Sequence, residues 1–159
     1  MSKQFTLSVD MLGSETKLKD ILAGLNQSLL RNINYKFQLY GLENEIKKYI
    51  DKYKRLLEVS EIINCETYIS MNDKPSDILK RKDNSSMLLA IKSVSEDTSD
   101  AVLSFGNTGA LMSLSLLNIK TINGIKRPAI ASIWPNIKGE SIVLDLGANT
   151  KLDPKYLID

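Results

Sequence analysis

The spacing of apolar residues changes repeatedly along the chain between a period of two and a helical period. Residues 5–9 alternate apolar and polar side chains, which predicts a strand. After Ser14 the apolar residues fall at helical spacing, and this predicts a helix that Ser14 would cap. Residues 35–40 alternate again, and residues 43–53 place apolar side chains on one helical face. The first third of the chain therefore predicts strand, helix, strand, helix.

The middle of the chain is less regular. Residues 56–63 and 66–71 are strand-like, but their spacing does not separate a strand from a helix. Pro75 follows a turn and is well placed to open a short helix.

A clearer helix, strand and helix follow. Ser85 or Ser86 is predicted to cap the first helix, because an apolar face begins directly after them. Residues 101–104 have the composition of a buried strand, and the next helix is predicted to run to about Ile119.

Two further short apolar runs, residues 129–133 and 141–146, complete the pattern. Strands that alternate with helices at this spacing predict an α/β fold with a mainly parallel sheet and helices on both faces. Predicted strands end in three turns that contain glycine: Asp10–Gly13, Gly106–Gly109 and Asp145–Asn149. In a parallel sheet such turns meet at one edge, which is where ligands of these sheets bind.

Composition excludes several kinds of catalytic and binding site but says less about the fold. The chain has 159 residues and a net charge of +2, which lacks the strong positive field typical of nucleic-acid-binding proteins. Histidine is absent, and this excludes Ser-His-Asp triads, histidine zinc sites and a histidine general base within the chain. The single cysteine, Cys65, cannot form an internal disulfide, so a cytoplasmic location is expected.

The sequence Gly106-Asn107-Thr108-Gly109, here called the glycine turn, joins a predicted strand to a predicted helix. Glycines let main-chain N–H groups approach a ligand closely, and the N-terminus of the following helix favours an anion. The same residues are typical of a capped turn without any ligand, and from the residues alone both interpretations stay open. The neighbouring Phe105 is expected to narrow the space for a ligand.

Other candidates also have a structural interpretation beside the functional one. At the end of a predicted strand, Asp145 would orient a ligand, hold a metal through water or cap the next element. Lys82, in a run of three basic residues, contacts phosphate or lies on a solvated helix face. Ser85 and Ser86 donate hydroxyl groups to a ligand or cap a helix. Arg127 contacts an anion or forms a surface ion pair. For most of these the structural interpretation is favoured, and no residue pattern indicates a metal centre.

Four blocks of sequence, in their order and spacing, resemble a known family. They read KDNSSM, SFGNTGALM, GIKRPAIASIWP and VLDLGAN. Each block alone is weak, but together they are specific, and the similarity covers residues 7–157. The chain thus resembles the phosphate acyltransferase of bacterial phospholipid synthesis, the PlsX family.

The resemblance implies a Rossmann-like α/β/α sandwich related to phosphotransacetylases and the isocitrate dehydrogenase group. It implies that inorganic phosphate attacks the thioester of an acyl-carrier-protein, which gives an acyl phosphate and the free carrier. It also implies a homodimer and peripheral membrane association through elements beyond this chain's end. Neither a cofactor nor a nucleic acid is implied.

This reaction suits a chain without histidine, because phosphate is already a nucleophile near neutral pH and a thiolate leaves readily. On the resemblance, the glycine turn binds phosphate or the thioester oxygen, with Asn107 and Thr108 as side-chain donors. Lys82 or Arg127 balances the charge. The remaining candidates are Ser85, Ser86, Asp145 and Asn149.

The chain stops about one turn into a helix that Pro154 would open, which predicts the front part of a longer domain. By resemblance, residues 1–159 correspond to the N-terminal half of the family's usual length. Two alternatives stay open: a remnant that is inactive or needs a partner chain, and a phosphotransacetylase-like enzyme that uses a coenzyme A thioester.

Overall fold

The chain divides into two compact units, Met1–Ile119 and Lys120–Asp159. A computed structural model describes residues 4–31, 34–78, 84–125 and 128–145. Among these residues, no helix is both long and apolar enough to cross a membrane.

A parallel sheet forms the centre of the first unit. Its strands are β1 (Phe5–Asp10), β2 (Tyr35–Gly41), β3 (Ser60–Asn64) and β4 (Ala101–Ser104). Within the described residues their order is β3-β2-β1-β4, and every neighbouring pair is parallel. Parallel strands need crossover connections, and the helices between the strands supply them.

Helices cover both faces of this sheet. They are α1 (Leu18–Leu29), α2 (Glu43–Ile50), α3 (Lys54–Glu58), α4 (Pro75–Ile78), α5 (Ser86–Ser95) and α6 (Thr108–Asn118). On one face, α1 to α3 pack their apolar side chains on Val9 and Leu39. On the other, α5 packs across β1, β2 and β4 and against α6. Each Leu or Ile buried in these layers stabilises the fold by roughly 1.5–3 kcal/mol.

Alternation along β1 decides which side chains meet α5. Val9 faces the α1 layer, so Ser8 and Asp10 face α5. Ser8 shares hydrogen bonds with the hydroxyl groups of Ser93 and Ser99, and all three residues are buried. The side of β1 that faces α5 therefore carries buried polar side chains, and each of them has a hydrogen-bond partner.

Several predicted elements are confirmed, and others differ in their limits. The strands predicted at residues 5–9, 35–40 and 101–104 are present. The prediction that Ser14 caps α1 is wrong: the helix begins at Leu18 without a side-chain cap, because the Ser14 hydroxyl accepts a hydrogen bond from the Thr16 N–H instead.

The helix predicted over residues 43–53 is interrupted. It ends at Ile50, and α3 begins at Lys54 after a turn in which the Tyr53 N–H donates to the Ile50 carbonyl. The ambiguous segment 66–71 is neither helix nor strand. Its main chain has partners outside the sheet, including the Ser86 N–H, which donates to the Thr67 carbonyl.

The second unit contains an antiparallel hairpin of β5 (Ala131–Asn136) and β6 (Gly139–Leu144). This corrects the expectation that a third turn follows a strand of the parallel sheet at the shared edge. Only two residues separate the strands, and such a connection permits only antiparallel pairing. Trp134, in the middle of β5, is 56% exposed.

Candidate functional site

The first unit has a topological switch point between β1 and β4. From β1 the chain proceeds outward through β2 to β3, whereas β4 lies on the other side of β1. Asp10 and Ser104 end these two strands and are paired in register. The loops that leave this edge therefore diverge, and the crevice between them is where open parallel sheets bind ligands.

A buried carboxylate occupies this position. Asp10 is 1% exposed and accepts hydrogen bonds from the hydroxyl groups of Ser86, at 2.6 Å, and Ser104, at 2.8 Å. The Leu12 N–H donates to the same carboxylate at 3.3 Å. Three elements are thus joined through one side chain: the end of β1, the start of α5 and the end of β4.

Burial raises the pKa of Asp10, whereas the hydrogen bonds from Ser86, Ser104 and Leu12 act to lower it. The Cys65 thiol lies near enough to respond to this carboxylate. Its pKa is raised first by its own burial and second by the charge of Asp10. A thiol with a raised pKa is a poor nucleophile, so Cys65 serves here as a small buried side chain.

Gly106 packs directly over the carboxylate. A Cβ atom on this residue would lie 3.2 Å from Met87 Cε, 3.4 Å from Ser104 Oγ and 3.6 Å from Asp10 Oδ2. Its N–H donates to Ser104 Oγ at 3.1 Å and so points inward. A side chain here would need only a small shift of the flexible Met87 side chain, and the Gly106 N–H is already used within the protein.

Asn107 is also engaged within the protein. Its side-chain oxygen accepts the Ala110 N–H at 3.0 Å and caps α6. Its amide nitrogen donates to the carbonyl oxygens of Ser70, Met71 and Asp73, at 3.2, 3.1 and 2.9 Å. The side chain predicted as a ligand donor thus ties α6 to the loop that follows β3.

Thr108 and Gly109 are the exposed part of the glycine turn. They form the first turn of α6, and within the described part of the chain their main-chain N–H groups donate to no other residue. That turn carries no acidic residue. Exposed N–H groups and the positive end of a helix dipole form an anion-binding arrangement.

A cavity of about 430 Å³ lies at the same edge, between the loops that follow β1 and β3. Leu12, Tyr68 and Met71 supply its apolar wall. Ser70 and Met71 are also the residues whose carbonyl groups Asn107 holds, so the cavity adjoins the glycine turn. An apolar wall beside N–H groups that donate to none of the described residues suits a substrate that has both an apolar and an anionic part.

Comparison with known proteins identifies the family of this chain. A family model described as a fatty acid synthesis protein matches residues 5–159. The chain belongs to this family. It is 43% identical over its full length to a phosphate acyltransferase of Pelagibacter ubique and 41% identical over 96% of its length to one of Sinorhizobium fredii. The resemblance to the phosphate acyltransferases is thereby confirmed.

The chain spans about half the length of these relatives: 47% of the Pelagibacter ubique protein and 44% of the Sinorhizobium fredii protein. A third relative, the phosphate acyltransferase of Parvibaculum lavamentivorans, is 37% identical over 99% of the chain, which again corresponds to 44% of that protein. The site described above therefore lies within a region that this family shares.

Two predicted site residues of this family member lie at the start of α5. Ser85 caps the helix, because its hydroxyl accepts the Leu88 N–H at 3.3 Å, and this confirms the predicted capping. Ser86 is fully buried and donates to Asp10. Both hydroxyl groups are thus occupied by partners within the protein.

The remaining candidates lie either in the second unit or outside the described residues. Asp145 lies in the second unit, where its N–H donates to the Ile130 carbonyl. Lys82, Arg127 and Asn149 lie outside the described residues, and their proposed roles stay predictions.

Sequence reasoning missed Asp10 and Ser104 as members of the site. Asp10 was noticed only as the first residue of a glycine-containing turn. A signal was available, because a charged residue directly after a buried apolar strand must find hydrogen-bond partners. What the sequence lacked was the strand order, which alone places Ser104 beside it.

Proposed function

We propose that the chain carries the phosphate-binding part of a phosphate acyltransferase that converts an acyl thioester to an acyl phosphate. The observation that carries the proposal is the identity of 37–43% over nearly the whole chain with relatives named phosphate acyltransferase. The exposed N–H groups of Thr108 and Gly109 at the switch point support the same conclusion.

In this reaction an oxygen of phosphate attacks the carbonyl carbon of the thioester, the carbon–sulfur bond breaks, and the thiolate leaves and takes a proton from water. No general base is needed, because a substantial fraction of phosphate is already the dianion near neutral pH. The protein must hold an anion and stabilise the negative charge that develops on oxygen. The first turn of α6 offers donors for one of these tasks without histidine.

The finer parts of the proposal rest on the family resemblance. We propose an acyl-carrier-protein thioester as the acyl donor, a homodimer as the assembly and the cytoplasm as the location. Parallel assays with carrier-protein and coenzyme A thioesters decide the donor. Light scattering of the purified chain decides the assembly.

The activity is tested by trapping the acyl phosphate with hydroxylamine. The purified chain, an acyl-carrier-protein thioester and phosphate are expected to give a hydroxamate whose formation depends on phosphate. No hydroxamate above a protein-free control, from a chain shown to be folded by circular dichroism, would overturn the activity of this chain.

A proline at position 108 tests the role of the main chain. Thr108 is the first residue of α6, where proline is well tolerated, and Asn107 before it is already extended, with ψ at 110°. Thr108→Pro removes the N–H and is expected to weaken phosphate binding about tenfold, as the loss of one hydrogen bond to a charged group does. Thr108→Ala keeps the N–H and removes only the hydroxyl group, so comparison of the two variants separates the main-chain contribution from that of the side chain.

A further inference from the structure

The proposed reaction leaves the most buried charged group of the site without a role. Asp10 lies beneath the glycine turn and does not reach solvent, so it cannot contact a substrate directly. Its hydrogen bonds nevertheless connect it to residues next to the anion site. Oδ1 accepts from Ser86 at the start of α5, and Oδ2 accepts from Ser104 at the end of β4.

In its ionised form Asp10 can only accept hydrogen bonds, so the Ser104 hydroxyl then donates its single proton to Oδ2. The lone pairs of Ser104 Oγ are then free to accept the Gly106 N–H, at 3.1 Å. The result is a series of hydrogen bonds, here called the directed chain, that runs from the Gly106 N–H through Ser104 to Asp10.

The directed chain positions the glycine turn. Gly106 is held by its N–H, and a Cβ atom there would lie 3.2–3.6 Å from Met87, Ser104 and Asp10. Asn107 follows and is held by four hydrogen bonds of its own side chain. Thr108 and Gly109 come next; both residues are exposed, and within the described part of the chain their main-chain N–H groups donate to no other residue.

We infer that Asp10 is a positioning residue for the anion site: through Ser104 it holds Gly106 so that the N–H groups of Thr108 and Gly109 stay available to a phosphate or sulfate group. The inference rests on the proposed function, because it concerns the same anion site.

The test measures anion binding and does not require catalysis. The probe is sulfate, which keeps two negative charges where phosphate would titrate, and inorganic phosphate is the second probe. Titrations of the ¹⁵N-labelled chain follow the amide signals of Gly106, Thr108 and Gly109. The variants are Ser104→Ala, which breaks the directed chain, and Ser104→Thr, which keeps a hydroxyl group at the same position.

Ser8→Ala is the matched control. Ser8 lies on the same face of the same strand as Asp10, two residues earlier, and it is fully buried with hydrogen-bonded partners. The variant Ser8→Ala removes a buried hydroxyl group that lies away from the glycine turn. A loss of binding caused only by lower stability would therefore affect Ser8→Ala and Ser104→Ala alike.

We expect Ser104→Ala to bind sulfate about tenfold more weakly, with Ser104→Thr and Ser8→Ala close to the unmodified chain. Equal affinity of Ser104→Ala and Ser8→Ala would overturn the inference and leave the proposed function standing. If the unmodified chain binds neither anion at Thr108 and Gly109, the anion site itself fails, and the inference fails with it.

A measurement on the unmodified chain replaces the variant if Ser104→Ala does not fold. The Gly106 amide signal is expected to move with the same midpoint as the carboxyl carbon of Asp10 when the pH is lowered. The titratable groups that face Asp10 from the neighbouring elements of the described residues are Cys65 and Tyr40. Burial raises the pKa of both, so they stay neutral in acid and do not imitate this midpoint. A Gly106 signal that ignores the titration of Asp10 overturns the inference.

Discussion

Asp10 holds a carboxyl group in the interior, and this makes the stability of the first unit depend on pH. Burial raises its pKa above the ordinary value of 3.8, and the hydrogen bonds from Ser86, Ser104 and Leu12 only partly oppose the rise. A folded-state pKa above the unfolded one means that the folded protein holds the proton more tightly. The contribution to stability is therefore complete below about pH 3.8 and is lost as the pH rises through the folded-state pKa.

Comparison with Asp10→Asn isolates this effect in acid, because the Cys65 thiol, whose pKa responds to the charge of Asp10, stays neutral there. Urea unfolding between about pH 3 and pH 7 gives the free energy of unfolding of each. The value for the unmodified chain minus that for the variant is expected to fall as the pH rises. A difference that grows with pH would show that the carboxylate, not the carboxylic acid, is the favoured buried form.

Gly13 lies at a position of the first unit that does not tolerate a side chain. Its φ is +69°, and a Cβ atom would lie 2.0 Å from the carbonyl oxygen of Ile69. Gly13→Ala is expected to lower the free energy of unfolding by about 2 kcal/mol or more, because left-handed strain adds to a clash with main-chain atoms.

Gly24 provides the opposite case. It lies within α1, and a Cβ atom there would meet nothing within 4 Å. Gly24→Ala is expected to raise the free energy of unfolding by about 0.5–1 kcal/mol through helix propensity. Urea denaturation measures both variants, and equal effects at the two positions would contradict the described loop after β1.

Local sequence leaves two interpretations of the glycine turn open, an anion site and a capped turn without a ligand. In the structure the Gly106 N–H donates to Ser104 Oγ and Asn107 caps α6, as in a capped turn. Phe105, expected to narrow the site, lines a separate cavity between α1 and the sheet. These contacts depend on which strand lies beside β4, which local sequence does not specify.

At the scale of elements, Asn107 joins α6 to the loop after β3. Asn107→Ala removes the helix cap and leaves the carbonyl groups of Ser70, Met71 and Asp73 without this donor. A loss of about 2–4 kcal/mol in the free energy of unfolding is expected from a cap and a partly buried hydrogen-bond network. Faster hydrogen exchange in residues 70–73 should accompany it.

The matched control is Ser85→Ala at the start of α5. Ser85 also caps a helix, but its side chain makes only the single bond to the Leu88 N–H among the described residues. Its loss is expected to cost about 1 kcal/mol and to leave exchange in residues 70–73 unchanged. If the two variants were equally destabilised, the contacts of Asn107 with the loop would contribute nothing.

Elements defined by periodicity were predicted well, and their ends were not. The alternation in residues 5–9 and 35–40 gave β1 and β2, since one face of each strand packs on α1. The start of α1 was missed because the Ser14 hydroxyl bonds within its own turn. The antiparallel pairing of β5 and β6 was missed because short apolar runs do not reveal the direction of pairing.

At the scale of the molecule, the site depends on strand order within the first unit. The β1 and β4 ends meet because the chain crosses back from β3 to the far side of β1. The sequence predicted a shared edge for three turns, and Asp10–Gly13 and Gly106–Gly109 follow neighbouring strand ends of this sheet. Asp10 and Ser104 are 94 residues apart in the chain, so only the folded sheet brings their side chains together.

The two compact units allow a final prediction. Trp134 is the single tryptophan of the chain and lies in the hairpin of the second unit. The described helices all lie in the first unit. Tryptophan fluorescence therefore reports on the hairpin, whereas far-ultraviolet circular dichroism reports mainly on the helices.

A two-stranded hairpin is marginally stable by its own contacts, and the apolar side chains of this one are largely exposed: Ile133 is 68% and Ile142 76% exposed. We therefore expect the fluorescence transition in urea to precede the circular dichroism transition. Trp134→Phe should abolish the early signal and leave the second transition in place. Coincident transitions would show that the chain unfolds as one cooperative unit and would contradict this prediction.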